Sequence, residues 1–514
     1  MKYILSIDEG TTGTTALLLD EEGKPVAQGY APLRSIHPLE GWVEQDPEEI
    51  LSSCLKAVEI ALKDSEKVNP GGLGGLKRED IVCIGITNQR ETTVLFDPET
   101  GKPYYNAVVW QCRRTSDICA ALKEKEGFEN LIKETTGLVI DPYFSATKIM
   151  WILENVKGLQ EAAERGKVRF STVDSWLLYN LTGRHATDVS NASRTMLYDL
   201  RRLEWSEKIC TILSIPRQIL PEVKDSASFF GKVLSPDAPP AYSPSAKKLR
   251  RLLEGVPVTG IAGDQQAALF GHRCFQSGEG KCTFGTGTFL LMNTGESMPA
   301  SKHGLITTIA WRIEGRTVYA LEGSSFICGA AVDWLKKIGV YEKVELTSSM
   351  AEDAGSTDGV FFIPALAGLG APWWNSRVRG AFFGLNLGTR REHLVRAVLE
   401  SIAYSTAELC IAMEKDSQQR IKSLRADGGV ANNNFLMQYL ADILATPVER
   451  SQNLQATALG AAYLAALGNP MWKIEDIPAG KYQIFTHSND NHSEEFSKWR
   501  EYLALLIKAG PAQK

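Results

Sequence analysis

The chain has 514 residues, of which 44% are hydrophobic and 23% charged, and its formal net charge at pH 7 is −5. This length is too great for one hydrophobic core and predicts two domains of roughly 250 residues each. The acidic balance offers no basic field for nucleic acid and no polybasic membrane anchor, so we expect neither as a partner.

Hydrophobic patterns predict a β-meander at the start of the chain, with strands over 3–7 and 16–19, a turn at 21–24 and a third strand after it. Further strands are predicted over 81–87 and 108–110, and helices over 47–63, 114–125 and 145–156. The glycine-rich stretch 71–75 is typical of a surface loop.

A change of composition in the middle of the chain indicates a domain boundary. The proline-rich stretch 235–244 cannot hold regular structure, and it precedes a basic helix near 246–253 and a new strand over 257–262. We therefore expect one domain over 1–258 and another over 259–514. In the second domain, helices are predicted over 392–414 and 434–445, with a glycine turn over 427–434 between them.

The N-terminal segment and the cysteines bear on the compartment. The apolar run before Asp8 is too short for a signal peptide, and no apolar run approaches the ~18 residues of a membrane span. The nine cysteines form no Cys-x-x-Cys pair, and the seven histidines are scattered, so no zinc site is predicted. We expect a cytoplasmic protein with reduced thiols and no membrane insertion.

Two glycine and threonine turns follow strands: a first loop over Asp8–Thr15 and a second loop over Thr283–Phe289. Glycines allow close backbone approach and positive φ, while threonine hydroxyls add donors without charge, a combination that suits a phosphate chain. Such turns also make ordinary hairpins. Their repetition indicates a duplicated scaffold that binds one nucleotide.

An acidic residue accompanies each half of the chain. Asp8 ends a predicted strand at the first loop, where a carboxylate can hold Mg²⁺ directly or through water, or can be a solvated turn residue. Asp264 follows another strand, where it can accept the proton of an attacking hydroxyl or cap a helix. Spacing alone does not separate these readings.

Several segments resemble the FGGY carbohydrate kinase family, over nearly the whole chain. They are Ile86–Thr93 (ITNQRETT), Trp110–Arg114 (WQCRR), Gly137–Tyr143 (GLVIDPY), Asn191–Met196 (NASRTM) and Gly263–Phe270 (GDQQAALF). Tyr143–Asn155 and Phe383–Glu400 are similar to the two signature segments of the family. The closest likeness is to the branch that phosphorylates glycerol.

The resemblance implies a fold, an activity and an assembly. The fold is α/β, with two ribonuclease-H-like (actin/hexokinase-like) domains and a nucleotide cleft between them. The activity is ATP- and Mg²⁺-dependent phosphorylation of glycerol to sn-glycerol 3-phosphate, the entry step of glycerol catabolism. The assembly is a homodimer or homotetramer.

The resemblance also assigns a substrate site. It implies that glycerol is bound by Arg90, Glu91, Trp110, Tyr143, Asp264, Gln265 and Phe289, with Asp264 as the catalytic base. A charged donor, charged acceptors and a phenol leave each hydroxyl of a triol paired, and the aromatic walls of Trp110 and Phe289 set the size limit.

For ATP, the resemblance implies contacts from Thr11, Thr12, Gly13, Thr15, Thr286, Gly329, Asp333, Gly429 and Asn433, with Asp8 at the metal. The chain departs from the family at two of these positions, since relatives usually carry arginine at 15 and glutamine at 333. Arg113, Arg114 and Arg194 are candidates to replace the missing charge at Thr15.

Three other readings stay open at this point. A polyol or ketopentose kinase of the same family would need a wider pocket than one walled by Trp110 and Phe289. An actin-like or chaperone-like ATPase would have no use for the triol-binding set. A catalytically weak regulator is favoured only by Thr15.

Overall fold

The computed structural model of the protein describes residues 2–68, 78–240, 242–375, 377–453, 455–488 and 490–509. The chain divides into two compact units. The first unit consists of Met1–Gly271, Thr308–Tyr319 and Gln455–Ala479, and the second of His272–Thr307, Ala320–Leu454 and Gly480–Lys514. The chain therefore returns to its first unit twice after leaving it.

The strands before residue 272 are β1 (Tyr3–Glu9), β2 (Gly13–Leu19), β3 (Pro25–Pro32), β4 (Glu44–Gln45), β5 (Ile81–Asn88), β6 (Val94–Phe96), β7 (Ala107–Val108), β8 (Arg169–Ser171), β9 (Ala186–Asp188), β10 (Tyr198–Asp199), β11 (Glu204–Trp205), β12 (Glu222–Lys224), β13 (Ala227–Lys232) and β14 (Pro257–Gly263). The α-helices there are α1 (Pro47–Val68), α2 (Ser116–Lys123), α3 (Phe128–Thr136), α4 (Ser145–Asn155), α5 (Leu159–Glu164), α6 (Val173–Thr182), α7 (Val189–Ala192), α8 (Glu207–Ile212), α9 (Pro244–Leu253) and α10 (Asp264–Gly271).

The strands that follow are β15 (Glu279–Phe284), β16 (Thr288–Gly295), β17 (Ile306–Ile313), β18 (Arg316–Ser325), β19 (Phe361–Ile363), β20 (Ala381–Phe383), β21 (Ser423–Asp427), β22 (Val448–Ser451) and β23 (Tyr482–Phe485). The α-helices are α11 (Gly329–Lys337), α12 (Thr347–Asp353), α13 (Arg391–Ser417), α14 (Asn434–Leu444), α15 (Ala456–Gly468) and α16 (Ser493–Ala509).

The first unit is built on a mixed sheet with the strand order β3-β2-β1-β5-β14-β13. β1 and β2 pair antiparallel, as do β2 and β3, whereas β1, β5 and β14 run parallel. The register aligns Glu9 with Asn88 and Asn88 with Gly263. The carboxyl ends of the three parallel strands thus meet at one edge, and the residues after them share that edge.

Helices cover this sheet. Ile84 and Ile86 on β5 belong to a hydrophobic core with α1, α6 and α9, while α15 packs against β1, β5 and β14. A Cβ atom at Gly85, between those isoleucines, would lie 2.2 Å from the carbonyl oxygen of Ala461 on α15. Because side chains alternate along a strand, α15 lies on the face of the sheet opposite that core. Its backbone comes so close to β5 that only glycine fits at position 85.

The second unit repeats the arrangement, with the strand order β23-β22-β21-β15-β16-β18. β15 pairs antiparallel with β16 and parallel with β21, and β21 pairs parallel with β22. In both units, therefore, an antiparallel pair of strands is followed in the sheet by two strands parallel to the first strand of that pair. Its core includes β15, β16, α11, α13 and α14, with Trp499 of α16 buried in it.

The structure confirms the predicted meander and each of the predicted helices, with the bounds given above. The strand predicted over 108–110 is shorter, because β7 ends at Val108, whose partners are Glu44 on β4 and Thr93, and the chain turns at Val109–Cys112. The predicted loop over 71–75 lies outside the described residues. Within the part of the chain that the structure describes, no helix is long and apolar enough to span a membrane.

Candidate active site

Three predicted site residues lie at the carboxyl edge of the first unit's sheet. Asp8 is the penultimate residue of β1, Arg90 comes two residues after β5, and Asp264 directly follows β14 and begins α10. The parallel register of these strands brings residues far apart in sequence to one edge. The sheet thereby determines the position of the site.

Arg90 connects the polar groups of this edge. Its Nε lies 3.1 Å from Oδ1 of Asp264, its Nη1 donates to Oε1 of Gln266 at 3.1 Å, and its Nη2 donates to the Tyr143 hydroxyl at 3.3 Å. Because the guanidinium is planar and buried, these bonds fix its orientation. Asp264 and Tyr143 are thus held by the same side chain.

Glu91 is paired with a different arginine. Its Oε1 accepts a hydrogen bond from Nε of Arg194 at 2.6 Å, and both side chains are fully buried. The backbone of Glu91 is left-handed, with a φ of 61°, a conformation that costs a non-glycine residue roughly 1–3 kcal/mol. The backbone of this segment is therefore strained at the carboxylate that the resemblance assigns to the substrate.

Lys148 shapes the segment that carries Tyr143. Its ammonium donates to the carbonyl oxygens of Pro142, Tyr143 and Phe144 at 2.6, 2.6 and 3.1 Å, which uses all three of its hydrogens. Burial lowers the pKa of Lys148 to about 8, so the group is still charged at neutral pH. α4 thus holds the Tyr143 segment through a buried cation.

Trp110 borders both the polar cluster and the first loop. Its ring lies edge-on to Tyr143, with centroids 5.5 Å apart, and its indole Nε1 donates to Oγ1 of Thr11 at 2.9 Å. The side chain is partly buried. One aromatic residue therefore contacts the predicted triol site and the predicted phosphate loop.

Asp264 is partly exposed, with 29% of its side chain accessible. Its Oδ1 accepts the backbone N–H of Gln265 at 2.7 Å, and Nε2 of Gln265 lies 3.4 Å from its Oδ2. A capping aspartate accepts from the second or third residue of its helix, whereas this bond goes to the adjacent residue. The geometry leaves a carboxylate at the helix start that can meet a hydroxyl.

Asp8 has the properties of a cation ligand. Burial and repulsion from Asp264 raise the pKa of Asp8 to about 7. A divalent cation would relieve both effects, and carboxylate oxygen is a ligand that Mg²⁺ prefers. The residues present at this edge therefore fit a magnesium ion.

One glycine in each of the two loops allows close backbone approach, and no glycine of either loop serves a positive φ. None of Gly10, Gly13, Gly285 and Gly287 has a positive φ. A Cβ atom at Gly13 would lie 2.5 Å from the Ala31 carbonyl oxygen, and one at Gly287 would lie 2.5 Å from that of Ser325. At these two positions a larger residue would displace neighbouring backbone, so packing requires glycine there. A Cβ atom at Gly10 would lie 3.1 Å from the Gly13 carbonyl oxygen and one at Gly285 3.8 Å from that of Gly287, which is an ordinary contact.

Thr15 lies on β2 opposite Asp8 on one side and Tyr30 on the other. The three arginines considered as replacements for a charge at this position all have carboxylate partners, at 2.6 or 2.7 Å. The pairs are Arg113 with Asp141, Arg114 with Glu44, and Arg194 with Glu91. Each candidate cation is thus already engaged.

The second unit brings several predicted nucleotide residues together. The backbone N–H of Cys328 donates to the Thr286 carbonyl at 2.9 Å, and that of Gly329 donates to the Gly285 carbonyl at 2.9 Å. A Cβ atom at Gly329 would lie 3.1 Å from a methyl carbon of Val430. The second loop, the start of α11 and the 429–430 turn therefore adjoin one another.

The remaining predicted residues take defined places in the second unit. Asn433 caps α14, with Oδ1 accepting the Leu436 N–H at 2.9 Å, and its Nδ2 donates to Thr347 at 3.1 Å. A Cβ atom at Gly429 would meet nothing within 4 Å, so packing does not demand glycine there. Asp333 lies on α11, and Phe289 on β16 pairs with Thr283.

The first unit thus brings together Asp8, the first loop and six of the predicted glycerol residues; Phe289 belongs to the second unit. Sequence reasoning missed the structural roles of Arg194, Lys148 and Gln266. Each lies inside a segment that carries the family resemblance, which is a signal that such polar residues have partners. The partners of Arg194 and Gln266 are far away in sequence, and those of Lys148 are backbone carbonyl oxygens.

Comparison with known proteins identifies the family of the chain. The N-terminal domain of the FGGY family of carbohydrate kinases matches residues 3–271, and its C-terminal domain matches residues 280–468. Glycerol kinase 2 of Thermotoga maritima is 51% identical, covering 99% of both chains, and glycerol kinase of Bacillus subtilis is 47% identical, covering 100% of this chain and 99% of the relative.

Solved structures give the same fold. A glycerol kinase of Plasmodium falciparum, crystallised with ADP, superimposes with a TM-score of 0.89 at 35% identity and covers 100% of this chain and 99% of its own. A xylulose kinase of Lactobacillus acidophilus, at 21% identity and a TM-score of 0.83, covers 99% of this chain and 98% of its own and shares the fold alone. The predicted two-domain α/β, actin/hexokinase-like fold is confirmed, and the chain is a member of the FGGY family of carbohydrate kinases.

Proposed function

We propose that this chain catalyses the ATP-dependent phosphorylation of glycerol to sn-glycerol 3-phosphate, the entry step of glycerol catabolism. The observation that carries the proposal is the bonded set of Arg90, Asp264 and Tyr143 beside Trp110. It offers a donor, an acceptor and a phenol next to an aromatic wall, which suits a small triol. Relatives named glycerol kinase, about half identical over nearly the whole chain, support the choice of substrate.

In this proposal Asp264 accepts the proton of a terminal glycerol hydroxyl, whose oxygen attacks the γ-phosphorus of ATP in line. The new O–P bond forms as the bond from the γ-phosphorus to the β-phosphate oxygen breaks, and ADP leaves. Arg90, Glu91, Tyr143 and Gln265 bind the hydroxyls, while Trp110 and Phe289 contact the carbon chain. The fixed guanidinium of Arg90 orients Asp264 before the substrate arrives, so little rearrangement is needed during the reaction.

Asp8 is the residue that would hold Mg²⁺, directly or through water. The ion, when bound, neutralises charge that develops on the phosphate oxygens. Thr11, Thr12, Gly13 and Thr15 would face the phosphates from the first unit, and Thr286 from the second. Gly329, Asp333, Gly429 and Asn433 would contact the nucleoside. From the family resemblance we further propose that the protein is cytoplasmic and that it forms a homodimer or a homotetramer. Light scattering on the purified protein tests the proposed assembly.

The proposal is tested by an ATP-dependent phosphorylation assay over glycerol, dihydroxyacetone, erythritol, xylulose and ribulose. We expect glycerol to exceed the ketopentoses at least about a hundredfold in kcat/KM, because a larger sugar must displace an aromatic wall. A ketopentose value equal to that for glycerol would indicate a different sugar kinase. ATP hydrolysis with no phosphorylated acceptor would indicate a nucleotide-driven machine, and loss of both activities a regulator.

A further inference from the structure

Trp110 is joined to Thr11 by two routes that together form a closed ring of hydrogen bonds. In the short route, the indole Nε1 of Trp110 donates to Oγ1 of Thr11 at 2.9 Å. The long route passes through three other side chains, which are Thr92, Gln89 and Gln45. We call this set of five residues the Trp110 ring.

The long route can be followed bond by bond. The backbone N–H of Trp110 donates to Oγ1 of Thr92 at 3.2 Å, and that hydroxyl donates to Oε1 of Gln89 at 3.1 Å. Nε2 of Gln89 then donates to Oε1 of Gln45 at 2.8 Å, and Nε2 of Gln45 donates to the carbonyl oxygen of Thr11 at 2.8 Å. Every bond points from Trp110 towards Thr11.

Because the three linking side chains of the ring are buried, the donor and the acceptor of each bond are fixed. Gln45, Gln89 and Thr92 are at most 1% exposed, so water cannot replace a partner that turns away. An indole N–H is only a donor, which obliges the Thr11 hydroxyl oxygen to accept. The amide of Gln45 must likewise present its NH₂ group to Thr11, because its oxygen already accepts from Gln89.

The ring therefore uses Thr11 as an acceptor on both sides. The two donors of Thr11, its hydroxyl hydrogen and its backbone N–H, take no part in the ring. The carbonyl of the next residue is also bound to protein, since Thr12 accepts from Leu33 at 2.9 Å and from the Tyr30 hydroxyl at 3.2 Å. Because the Thr11 hydroxyl oxygen and the carbonyl oxygens of Thr11 and Thr12 accept from protein groups, the hydroxyl hydrogen and the backbone N–H of Thr11 are left to donate to an anion such as a nucleotide phosphate.

We propose that Trp110 is a positioning residue for the nucleotide, besides being a wall of the substrate pocket, because it orients the donors of Thr11 towards the phosphates. This inference rests on the proposed function, in which glycerol contacts Trp110 and phosphate contacts Thr11.

The test is a double-mutant cycle read by nucleotide binding. Trp110→Phe keeps an aromatic wall and removes the indole donor, and Thr11→Val removes the hydroxyl. The dissociation constant of the Mg²⁺ complex of AMP-PNP is measured by calorimetry without any acceptor sugar. Trp110→Phe should raise it about fivefold in the wild-type background, the effect of one neutral hydrogen bond, and less than about 1.5-fold in the Thr11→Val background.

Matched variants separate positioning from general damage. Trp472→Phe also removes an indole donor, but this indole donates to the Glu21 carbonyl oxygen, at 3.1 Å, and not to the first loop. It should change the dissociation constant less than about twofold. In the Thr11→Ser background, which keeps the hydroxyl, Trp110→Phe should again raise the dissociation constant about fivefold. Gln45→Met breaks the long route without touching the aromatic wall and should weaken nucleotide binding severalfold.

The proposal is overturned if Trp110→Phe leaves nucleotide binding unchanged, or weakens it equally in both backgrounds. It is also overturned if Gln45→Met binds the nucleotide as the wild type does. Failure of the proposed function would appear differently, as absence of glycerol phosphorylation by the wild type, since the binding cycle contains no glycerol.

Discussion

At the scale of single residues, the ion pair of Arg90 and Asp264 is the feature on which the proposed chemistry depends. We expect Asp264→Asn to fold normally and to bind ATP but to lose roughly 10²- to 10⁴-fold in kcat, the contribution of a positioned general base. Asparagine keeps the size of the side chain but has no proton affinity. Steady-state kinetics with glycerol, together with nucleotide binding, measure both expectations.

A control for this variant is Asp97→Asn, because the Asp97 carboxylate accepts only within its own turn region, from the backbone N–H groups of Glu99 at 2.7 Å and Thr100 at 3.1 Å and from the Tyr104 hydroxyl at 3.4 Å. It should keep kcat within about twofold. Near wild-type turnover by Asp264→Asn would show that Asp264 serves the start of α10 and not the proton transfer.

Thr15 gives a second prediction at this scale. All three arginines that could replace a charge at this position are paired with carboxylates, so we expect that the missing charge is not supplied by them. Thr15→Arg should then lower the KM for ATP roughly tenfold and leave the KM for glycerol nearly unchanged, since a guanidinium binds phosphate oxygens in a planar, bidentate manner.

Thr15→Gln, which adds length without charge, is the matched control and should leave the KM for ATP near its wild-type value. An unchanged or raised KM for ATP in Thr15→Arg would mean that residue 15 does not face the phosphates, or that another cation already does.

The residues that the sequence could not assign share a physical property. Arg194 pairs with Glu91 across about a hundred positions, and Lys148 is held by carbonyl oxygens, which every residue carries. Motifs mark such residues as part of the family pattern, but only the fold shows which partner each one has. The charged pair of Arg90 and Glu91 was predicted as a substrate site, and its role there stays a proposal.

At the scale of elements, the contact between α10 and α15 carries the strictest steric requirement near the site. A Cβ atom at Gly460 would lie 1.8 Å from the carbonyl oxygen of Ala267 on α10. We expect Gly460→Ala to lower Tm by roughly 3–10 °C, because overpacking of this kind costs about 1–3 kcal/mol or more. Turnover should fall as well, since α10 begins with Asp264.

Thr457→Ala, a half-buried position on the same helix, tests whether any change in α15 has this effect and should shift Tm by less than about 2 °C. Thermal unfolding followed by circular dichroism, with kcat for glycerol, distinguishes the two variants. If both behaved alike, close helix approach would not be the cause.

Elements were predicted well where periodicity is long and strong, as in α1, α4, α13 and the first meander. The strand at 108–110 was predicted too long because its partner strand is short, which local pattern does not reveal. The loop glycines were predicted to allow close backbone approach and positive φ; Gly13 and Gly287 allow close approach, and none of the four has a positive φ. Only the packed structure shows at which of them neighbouring backbone occupies the place of a Cβ atom.

At the scale of the whole molecule, a boundary at 258 was predicted from proline content and a restarted strand, and it stays a prediction. The compact units are not separated by a single cut, because Thr308–Tyr319 and Gln455–Ala479 return to the first unit. Local composition cannot show such a return. Nothing in the apolar pattern of α15 says which sheet it covers.

This return predicts that residues 1–271 cannot fold stably alone, although one family domain ends at 271. Without α15, β5 and β14 lose the helix whose backbone packs directly against Gly85 and Gly260. Joining residues 455–479 to this fragment through a flexible linker should create a cooperative thermal transition that the fragment lacks. A linked fragment carrying Leu459→Asp and Leu464→Asp, whose parent residues are buried, should lose that transition again. Cooperative melting of the fragment alone, at the temperature of the linked form, would mean that α15 is dispensable to the first unit.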